Sequence, residues 1–495
     1  MMPLPPDWQK LAGEHESRRD WDAARTLYEA AQQSDPARHD LNLLIQELRC
    51  AINVCHWDRY GHLQAAIADS VRHHGGIVSG ETTLASPALT GYDHASSQGR
   101  RTDMIWRSQA DARAEVLTLR MARPPTRDTR KPLRIGFLGG DFHGQATTYL
   151  IVGVIEAHDR AKLQYVGYNF GPAGGAGPLG ARVRSAFDVF HDIATLSNRE
   201  IAKRIAADEI DVLLFLRGPA DPRAAVLAMR PAPLQLAYLY YPGDFGFPLV
   251  DGLIADSIVI PPALQHHYSE PILYLPRCYQ PNDAKRPLPQ PLLRAEAGLP
   301  DHAVVLANFA QSYKITPEAF DVWCALLGDH PHCVLWLLDT HPAVVRNLRR
   351  EASRRGVDPS RLFFAPLADT PLHLSRLACA DVVLDTWPYG GHTGTSDALW
   401  AGVPVVARSG ETFASRVAVS LLHSVGLAEL AADDDAQYSR IVGTLITDTA
   451  RRAALHDHLT RGRKTFALFD PVGYARDFDA LLTNIVRNGV RATTV

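Results

Sequence analysis

Long apolar runs are missing from this sequence: no stretch of about 18 apolar residues occurs, so there is no candidate for a membrane-spanning helix. The start, MMPLPPDWQK, lacks the basic residues and apolar run of a secretory leader. Cysteine is scarce, six residues (Cys50, Cys55, Cys278, Cys324, Cys333 and Cys379) with no CxxC pair and no His/Cys cluster at metal-ligand spacing. A zinc module and a disulfide framework are both excluded, and core thiols in a reducing compartment, a cytoplasmic protein, are expected. A strong charge of either sign is absent as well. The formal charge of -3 gives no general attraction to nucleic acid or to an anionic membrane. Only seven of the 51 basic residues are lysines, an arginine-rich composition bias that carries no functional weight.

What is present is an ordinary globular composition, 46% apolar and 21% charged, which argues against extensive disorder. A chain of 495 residues is too long for one core, and about three units are expected. Trp8, Leu11, Ala12, Ala24, Tyr28, Ala31 and Pro36 follow the spacing of one helix-turn-helix repeat of the tetratricopeptide type, about 34 residues long. One repeat cannot bury its own face, so it must stack on the helical stretch that follows, Leu41 to His73. An unrelated helical hairpin fits the same residues.

Polar segments from Ser79 to Arg101 and up to Pro132 mark a boundary. From Leu133 short apolar strands (LRIGFL, LQYVGY, IDVLLFL, LQLAYL) alternate with helices such as Asn198 to Ala207. After a proline-rich stretch between Gln280 and Pro300 the alternation resumes with VVLANF, CVLWLLD, RLFFAP, DVVLD and VPVVA. This pattern predicts two doubly wound parallel sheets in tandem. The divisions expected are a helical region and linker over 1–130, a first α/β lobe over 131–285 and a second over 286–495. Ligands of such sheets bind at the carboxyl ends of the strands, in a cleft that two such lobes would face.

Three segments of the second lobe carry candidate chemistry. In DVVLDTWPYGGHTGTSDALWAGVPVVA, from Asp381 to Ala407, a buried strand ends near Asp385, a loop of small residues follows (Gly390, Gly391, His392, Thr393, Gly394), and a helix begins near Thr395. Small residues admit a close ligand, and helix N-terminal amides favour a phosphate. His392 and Thr393 add donors, and Asp397, one turn in, can accept from ribose hydroxyls. The segment equally fits a plain turn with Thr395 or Ser396 capping the helix. In VVLANFAQSYKITPEAF, Gln311, Ser312 and Lys314 occupy the loop between a strand and a helix starting near Pro317, where a lysine can neutralise a diphosphate leaving group; a solvated loop lysine is the plainer alternative. In LFFAPLADTPLHLSRL, Ala368 can present backbone groups to a base and His373 can stack on it, or Thr370 caps a helix that carries a surface histidine.

These segments, with RPAPLQLAYLYYPG (Arg230 to Gly243), HYSEPILYLP (His267 to Pro276), SGETFASRVAVSLL (Ser409 to Leu422) and INVCHWDRY (Ile52 to Tyr60), resemble in content and order the protein O-linked N-acetylglucosamine transferase and SPINDLY family. The resemblance implies a GT-B fold: two Rossmann-like lobes facing a cleft, preceded by a tetratricopeptide-like region. It implies inverting transfer of a sugar, N-acetylglucosamine first, from a nucleotide diphosphate donor, UDP first, to a Ser or Thr of a protein, without a metal or other cofactor. Guanine as base, and glucose or fucose as sugar, stay open. Gln311 and Lys314 match the family's diphosphate contacts. Ala368, His373 and Arg376 fall where it holds the nucleotide, His392 and Thr393 match its phosphate-binding pair, and Asp397 its ribose-side aspartate.

Departures from the pattern accompany these matches. Gln145 stands where the family shows a histidine, with His143 two positions before it, and Phe215 where many relatives are acidic. Asp244 replaces a small hydroxyl residue, Gly394 the second threonine of the phosphate loop, and Thr370 a lysine near the nucleotide. His143 and Asp244 are the candidates for a catalytic base; each also fits a structural loop role. Two other functions suit the same residues: a catalytically impaired nucleotide- or peptide-binding adaptor, and a transferase acting on a small molecule or glycan.

Overall fold

The computed structural model describes residues 4–34, 41–74, 131–172, 177–219, 221–245 and 249–490. The described residues fall into two compact units, neither contiguous in sequence. One unit draws on Met1–Asp93, Pro287–Gly410 and Leu427–Arg461, the other on His94–Arg286, Glu411–Gly426 and Gly462–Val495.

The second of these is built on a seven-stranded parallel sheet, in the order β3-β2-β1-β4-β5-β6-β7. Its strands are β1 (Leu133–Gly139), β2 (Leu163–Asn169), β3 (Val189–Asp192), β4 (Val212–Phe215), β5 (Leu234–Ala237), β6 (Gly252–Ala255) and β7 (Ile272–Tyr274). β1 and β4 are neighbours in register, Ile135 opposite Val212. The winding runs outward from β1 in one direction, then returns to β4 and continues in the other, so the switch point lies between β1 and β4. One helix that comes late in the sequence completes this core, and a second belongs to the same unit. Pro471–Asn488 buries Tyr474, Ala475, Phe478, Leu482 and Ile485 against it, and each of the larger of these side chains is worth roughly 1.5–3 kcal/mol in area removed from water. Tyr474 Oη lies 2.6 Å from the Tyr279 carbonyl, and the hydroxyl of Tyr165 donates to Asp479 at 2.5 Å. Phe413–Ser424 is tied by Ser420, whose hydroxyl donates to the buried Asp256 at 2.6 Å.

The first unit carries a six-stranded parallel sheet, in the order β10-β9-β8-β11-β12-β13. These strands are β8 (Val304–Asn308), β9 (Cys333–Asp339), β10 (Leu362–Pro366), β11 (Val382–Leu384), β12 (Val405–Arg408) and β13 (Ala431–Ala432). Strands β8, β11 and the first six residues of β9 are wholly buried apolar runs closed by Asn308 at the end of β8, as expected of strands covered on both faces. Here the switch point lies between β8 and β11, paired through Val382 opposite Leu306.

Among the described residues, four helices precede the sheets: Trp8–Ser17, Trp21–Ser34, Leu41–Asn53 and Tyr60–His74. Ala12, Ala24, Tyr28 and Cys50 form a small core there, with Trp8, Trp21, Leu27 and Leu43 against it, and Trp8 meets Tyr28 edge-on at 6.1 Å. Trp8, Ala12, Ala24 and Tyr28, singled out by the repeat spacing, therefore do pack together; Pro36 and the polar boundary from Ser79 lie outside the described residues. The helical region followed by two doubly wound parallel sheets is the architecture expected from the sequence.

Candidate functional site

The winding decides which loops meet. In the six-stranded sheet the loops leaving β8 and β11 diverge from the switch point, and these are the loops of Lys314 and of the glycines. At the end of β8 the Asn308 amide donates to the Leu384 carbonyl at 2.7 Å, pinning the two strand ends together. Residues Ser312–Lys314 make one 3-10 turn. Thr316 then caps the helix Pro317–Asp329, accepting from the Ala319 amide, and its hydroxyl also donates to the Trp387 carbonyl in the facing loop, at 3.2 Å.

Lys314 consequently reaches across the switch point. Its Nζ donates to the Gly390 carbonyl at 2.9 Å and stands 3.8 Å from the centroid of the Tyr389 ring. Asp385, directly after β11, is buried, and its Oδ1 accepts from the Gly391 amide at 2.5 Å. Its Oδ2 is buried with no hydrogen-bond partner among the described residues. Burial disfavours both charges. It pulls the lysine down to about 8, opposed by Asp385, and pushes the carboxyl up to about 6, opposed by the Gly391 and Thr386 amides and by Lys314. Gly391 is where the loop needs a missing side chain: a Cβ there would stand 2.3 Å from Thr395 Oγ1 and 2.9 Å from Asp385 Oδ1.

The helix that follows runs Thr393–Ala401 and closes at Gly402, which takes the left-handed conformation at φ 88°. Its N-cap is His392, whose side chain makes no capping bond. The expected alternative of a Thr395 or Ser396 cap is thus corrected. Both residues sit inside the first turn, and the Ser396 hydroxyl bonds back to the carbonyls of Thr393 and His392, at 3.0 and 3.4 Å, so it is not oriented to cap the amides. The first-turn amides, of which Thr393 and Gly394 are the first two, point out of the helix end, beside the Lys314 and Asp385 loop. That end attracts anions by its dipole as well as by its donors.

One turn along, Asp397 Oδ2 faces His373 Nε2 at 3.6 Å. Arg376 donates to His373 Nδ1 at 3.2 Å; a guanidinium cannot accept, so Nδ1 is the acceptor and the ring proton is on the nitrogen facing Asp397. Arg376 also donates to the Pro366 carbonyl and lies 4.6 Å over the Phe309 ring. That ring meets Trp336 edge-on at 4.8 Å and His373 at 5.8 Å. Burial lowers the Arg376 pKa. Asp369, rather than Thr370, caps the helix Thr370–Leu377, accepting from the Leu372 amide. His373 is accordingly half-buried in a network and is not a surface histidine.

Among the sequence candidates, Lys314, His392, Thr393, Gly394, Asp397, His373 and Arg376 form one connected constellation in the first unit. Gln311 is exposed at the cap of the Ser312–Lys314 turn, and Ala368 is half-buried in the loop after β10. His143 and Asp244 belong to the other unit. His143 is half-buried in the loop after β1. Asp244 is 1% exposed, and the Ser269 hydroxyl donates to its Oδ1 at 2.6 Å, a satisfied buried carboxylate. Gln145 is exposed at the N-cap of helix Ala146–Ala157 without capping it. Phe215 is fully buried against Phe245. Asp385, Tyr389, Phe309 and Trp336 were missed by sequence reasoning. The one available signal was the aspartate ending a buried strand before a glycine loop, the position from which a carboxylate can hold the loop's amides.

Residues 120–294 and 291–478 match the model of Glycosyl transferase family 41. The probable UDP-N-acetylglucosamine--peptide N-acetylglucosaminyltransferase SEC of Arabidopsis thaliana is 34% identical over 358 residues, 70% of this chain and 36% of that protein. The corresponding enzyme of Caenorhabditis elegans is 26% identical over 464 residues, covering 71% of this chain and 40% of its own length. A mutant O-GlcNAc transferase of Thermobaculum terrenum superposes with a TM-score of 0.80 at 25% identity, over 97% of this chain and 90% of that one. The chain spans about two-fifths or less of the length of these two curated relatives. With family-model matches over most of its length and the same two-sheet architecture, the chain belongs to glycosyl transferase family 41.

Proposed function

We propose that this protein is an inverting glycosyltransferase that moves N-acetylglucosamine from UDP to a Ser or Thr side chain of a protein. The observation that carries the reading is the start of helix Thr393–Ala401, which the His392 side chain does not cap, with the Lys314 ammonium beside it. Departure of a nucleoside diphosphate builds negative charge, and a buried cation with fixed amides stabilises such charge without reorganising. Lys314 would turn from the Gly390 carbonyl to the diphosphate, while Thr393 and Gly394 supply amides and His392 a further donor. The base would lie against Phe309 and His373, near the backbone of Ala368, with Asp397 toward the ribose and Gln311 at the phosphate side. On this reading the leaving group needs no metal, and chelator treatment should leave transfer intact. The family and the peptide N-acetylglucosaminyltransferases among its relatives support the donor and the peptide acceptor.

For the base, His143 is the better of the two candidates, because the Asp244 carboxylate is buried and engaged by Ser269. We also place the protein in the cytoplasm, on the strength of six free, buried cysteines; among the described residues no helix is long and apolar enough to cross a membrane. The test is a UDP titration followed by transfer of labelled N-acetylglucosamine to lysate proteins. UDP binding with a labelled protein product is expected. Failure of UDP to bind at millimolar concentration sinks the proposal, and UDP binding without any labelled product favours the nucleotide-binding adaptor, for which the exposed Gln145 in place of a histidine argues.

A further inference from the structure

The last carbonyls of a helix have no partner within it and must find one outside. For the helix Leu41–Asn53 the partners come from the sheet-bearing part of the same unit. The Ser312 hydroxyl donates to the Asn53 carbonyl at 2.7 Å, and the Asn347 amide donates to the Val54 carbonyl at 2.8 Å, fully buried. Cys55 Sγ in turn reaches the Ser312 carbonyl at 3.6 Å, and the Thr340 hydroxyl lies 3.4 Å from that of Ser312. The chain leaves the helix through Cys55 at φ 51°, a left-handed conformation usually left to glycine. Such a conformation persists where its surroundings over-determine it. Here the His56 amide closes the turn on the Ala51 carbonyl at 2.9 Å, and Trp57 packs on Phe320 at 5.5 Å.

Ser312 is 5% exposed and opens the same 3-10 turn that ends in Lys314. The turn is closed by the Lys314 amide on the Gln311 carbonyl, at 2.9 Å, and by the Ile315 amide on the Ser312 carbonyl, at 3.0 Å. One residue therefore joins the helical region to the loop that aims the buried ammonium. We propose that Ser312 is a positioning residue for Lys314, and that the end of helix Leu41–Asn53 is the rear support of the donor phosphate site. The helical region would then be part of the donor-binding machinery as well as a candidate surface for an acceptor. This inference rests on the function proposed above.

The experiment is UDP titration by calorimetry, from below to above pH about 8, on the full chain, S312A and N347A, with thermal unfolding in parallel. The groups facing the Lys314 ammonium are Asp385, the Tyr389 ring and the Gly390 carbonyl, with His392 5.2 Å across the Tyr389 ring; none of them is altered by either variant. S312A should bind UDP about tenfold more weakly, the scale of a positioning error at a charged contact. Its alkaline loss of binding should move to higher pH, because an ammonium freed from its enclosure regains a more ordinary pKa. N347A, which loosens the same junction without touching the Ser312–Lys314 turn, should shift both in the same direction by less. Wild-type affinity in S312A, or weaker affinity with an unmoved alkaline limb, would overturn the proposal, the second because it marks a merely structural loss. Should S312A not fold, N347A decides by the same limb. If the unaltered chain itself binds no UDP, the function proposal falls first, and this inference with it.

Discussion

The two sheets share one winding, yet their switch points hold opposite electrostatic arrangements. Between β8 and β11 the cation is Lys314, bonded to a neutral carbonyl, with a carboxylate nearby whose charge burial disfavours. Between β1 and β4 the cation is Arg217, which donates to Asp141 at 2.9 Å and lies 3.7 Å from Asp221. Its guanidinium also stacks over Tyr240 at 4.6 Å and Phe170 at 5.8 Å. The loops there close on themselves: a Cβ at Gly140 would stand 2.8 Å from both Arg217 and Phe170. At one switch point the cation is in direct ion pairs with two carboxylates; at the other the lysine bonds a carbonyl beside the start of a helix, with Asp385 near it outside ion-pair contact. Topology thus marks two places of equal standing, and the charge pairing distinguishes them; on the function proposed above, the diphosphate would go to the second.

That contrast breaks most directly at its cations. Replacing Lys314 by Ala should lower sugar transfer by about 10²–10³-fold with little change in unfolding temperature. Arg217→Ala should leave UDP affinity within a factor of two or so and instead destabilise the fold by about 1–3 kcal/mol, the cost of stranding a partly buried partner. Parallel UDP titration and denaturant melts of the two variants check this, and a UDP defect in Arg217→Ala would erase the distinction.

Gly391→Ala comes next. Its Cβ cannot fit beside Thr395 and Asp385, so the loop must shift, costing about 1–3 kcal/mol and lowering UDP affinity by roughly tenfold or more. Gly144→Ala, in the loop after β1 where nothing lies within 4 Å of a new Cβ, should change neither.

The third expectation concerns pH. UDP affinity should fall as pH rises through about 8, where free Lys314 loses its proton, by about tenfold per pH unit beyond it. Stability moves the other way. The unfolded lysine, near 10.5, holds more protons than the folded one between about 8 and that value, so stability contributed by this group rises with pH there. Melting curves alongside the titrations would separate lost affinity from lost fold. The smallest effect is expected from Ser197→Ala, which removes the capping box on helix Asn198–Ala207. It should cost about 1 kcal/mol in a urea melt and leave UDP affinity alone, since it lies in the unit without the lysine.

Much of the candidate site could be read from local pattern. A glycine loop between a buried strand and a helix, and a lysine between a strand and Thr316-Pro317, are chemically specific over a few residues. The caps were misplaced because a cap is the residue at which the backbone leaves helical geometry, and Asp369 and His392 stand one to four residues from the hydroxyls that looked suitable. Asp385 reads as an ordinary strand end until burial and the Gly391 amide give it work. Phe309 and Trp336 lie in apolar runs where nothing local tells a ring that meets His373 and Arg376, as Phe309 does, from one that only fills a core. Asp244 reads as a base candidate or a structural loop residue, and its burial against Ser269, 25 residues on, has no local signature.

The helical region, the two runs of alternating strands and helices, and the residue types of the glycine loop were legible in the chain alone, because these follow from periodicity and steric demands over a few residues. Tertiary structure decided that the loops after β8 and β11 lie side by side, that a late helix, Pro471–Asn488, completes the early sheet, and that Ser312 ends a helix begun at Leu41. Those outcomes depend on strand order and on burial, which set the dielectric and the hydrogen-bond partners of each group across hundreds of residues of chain.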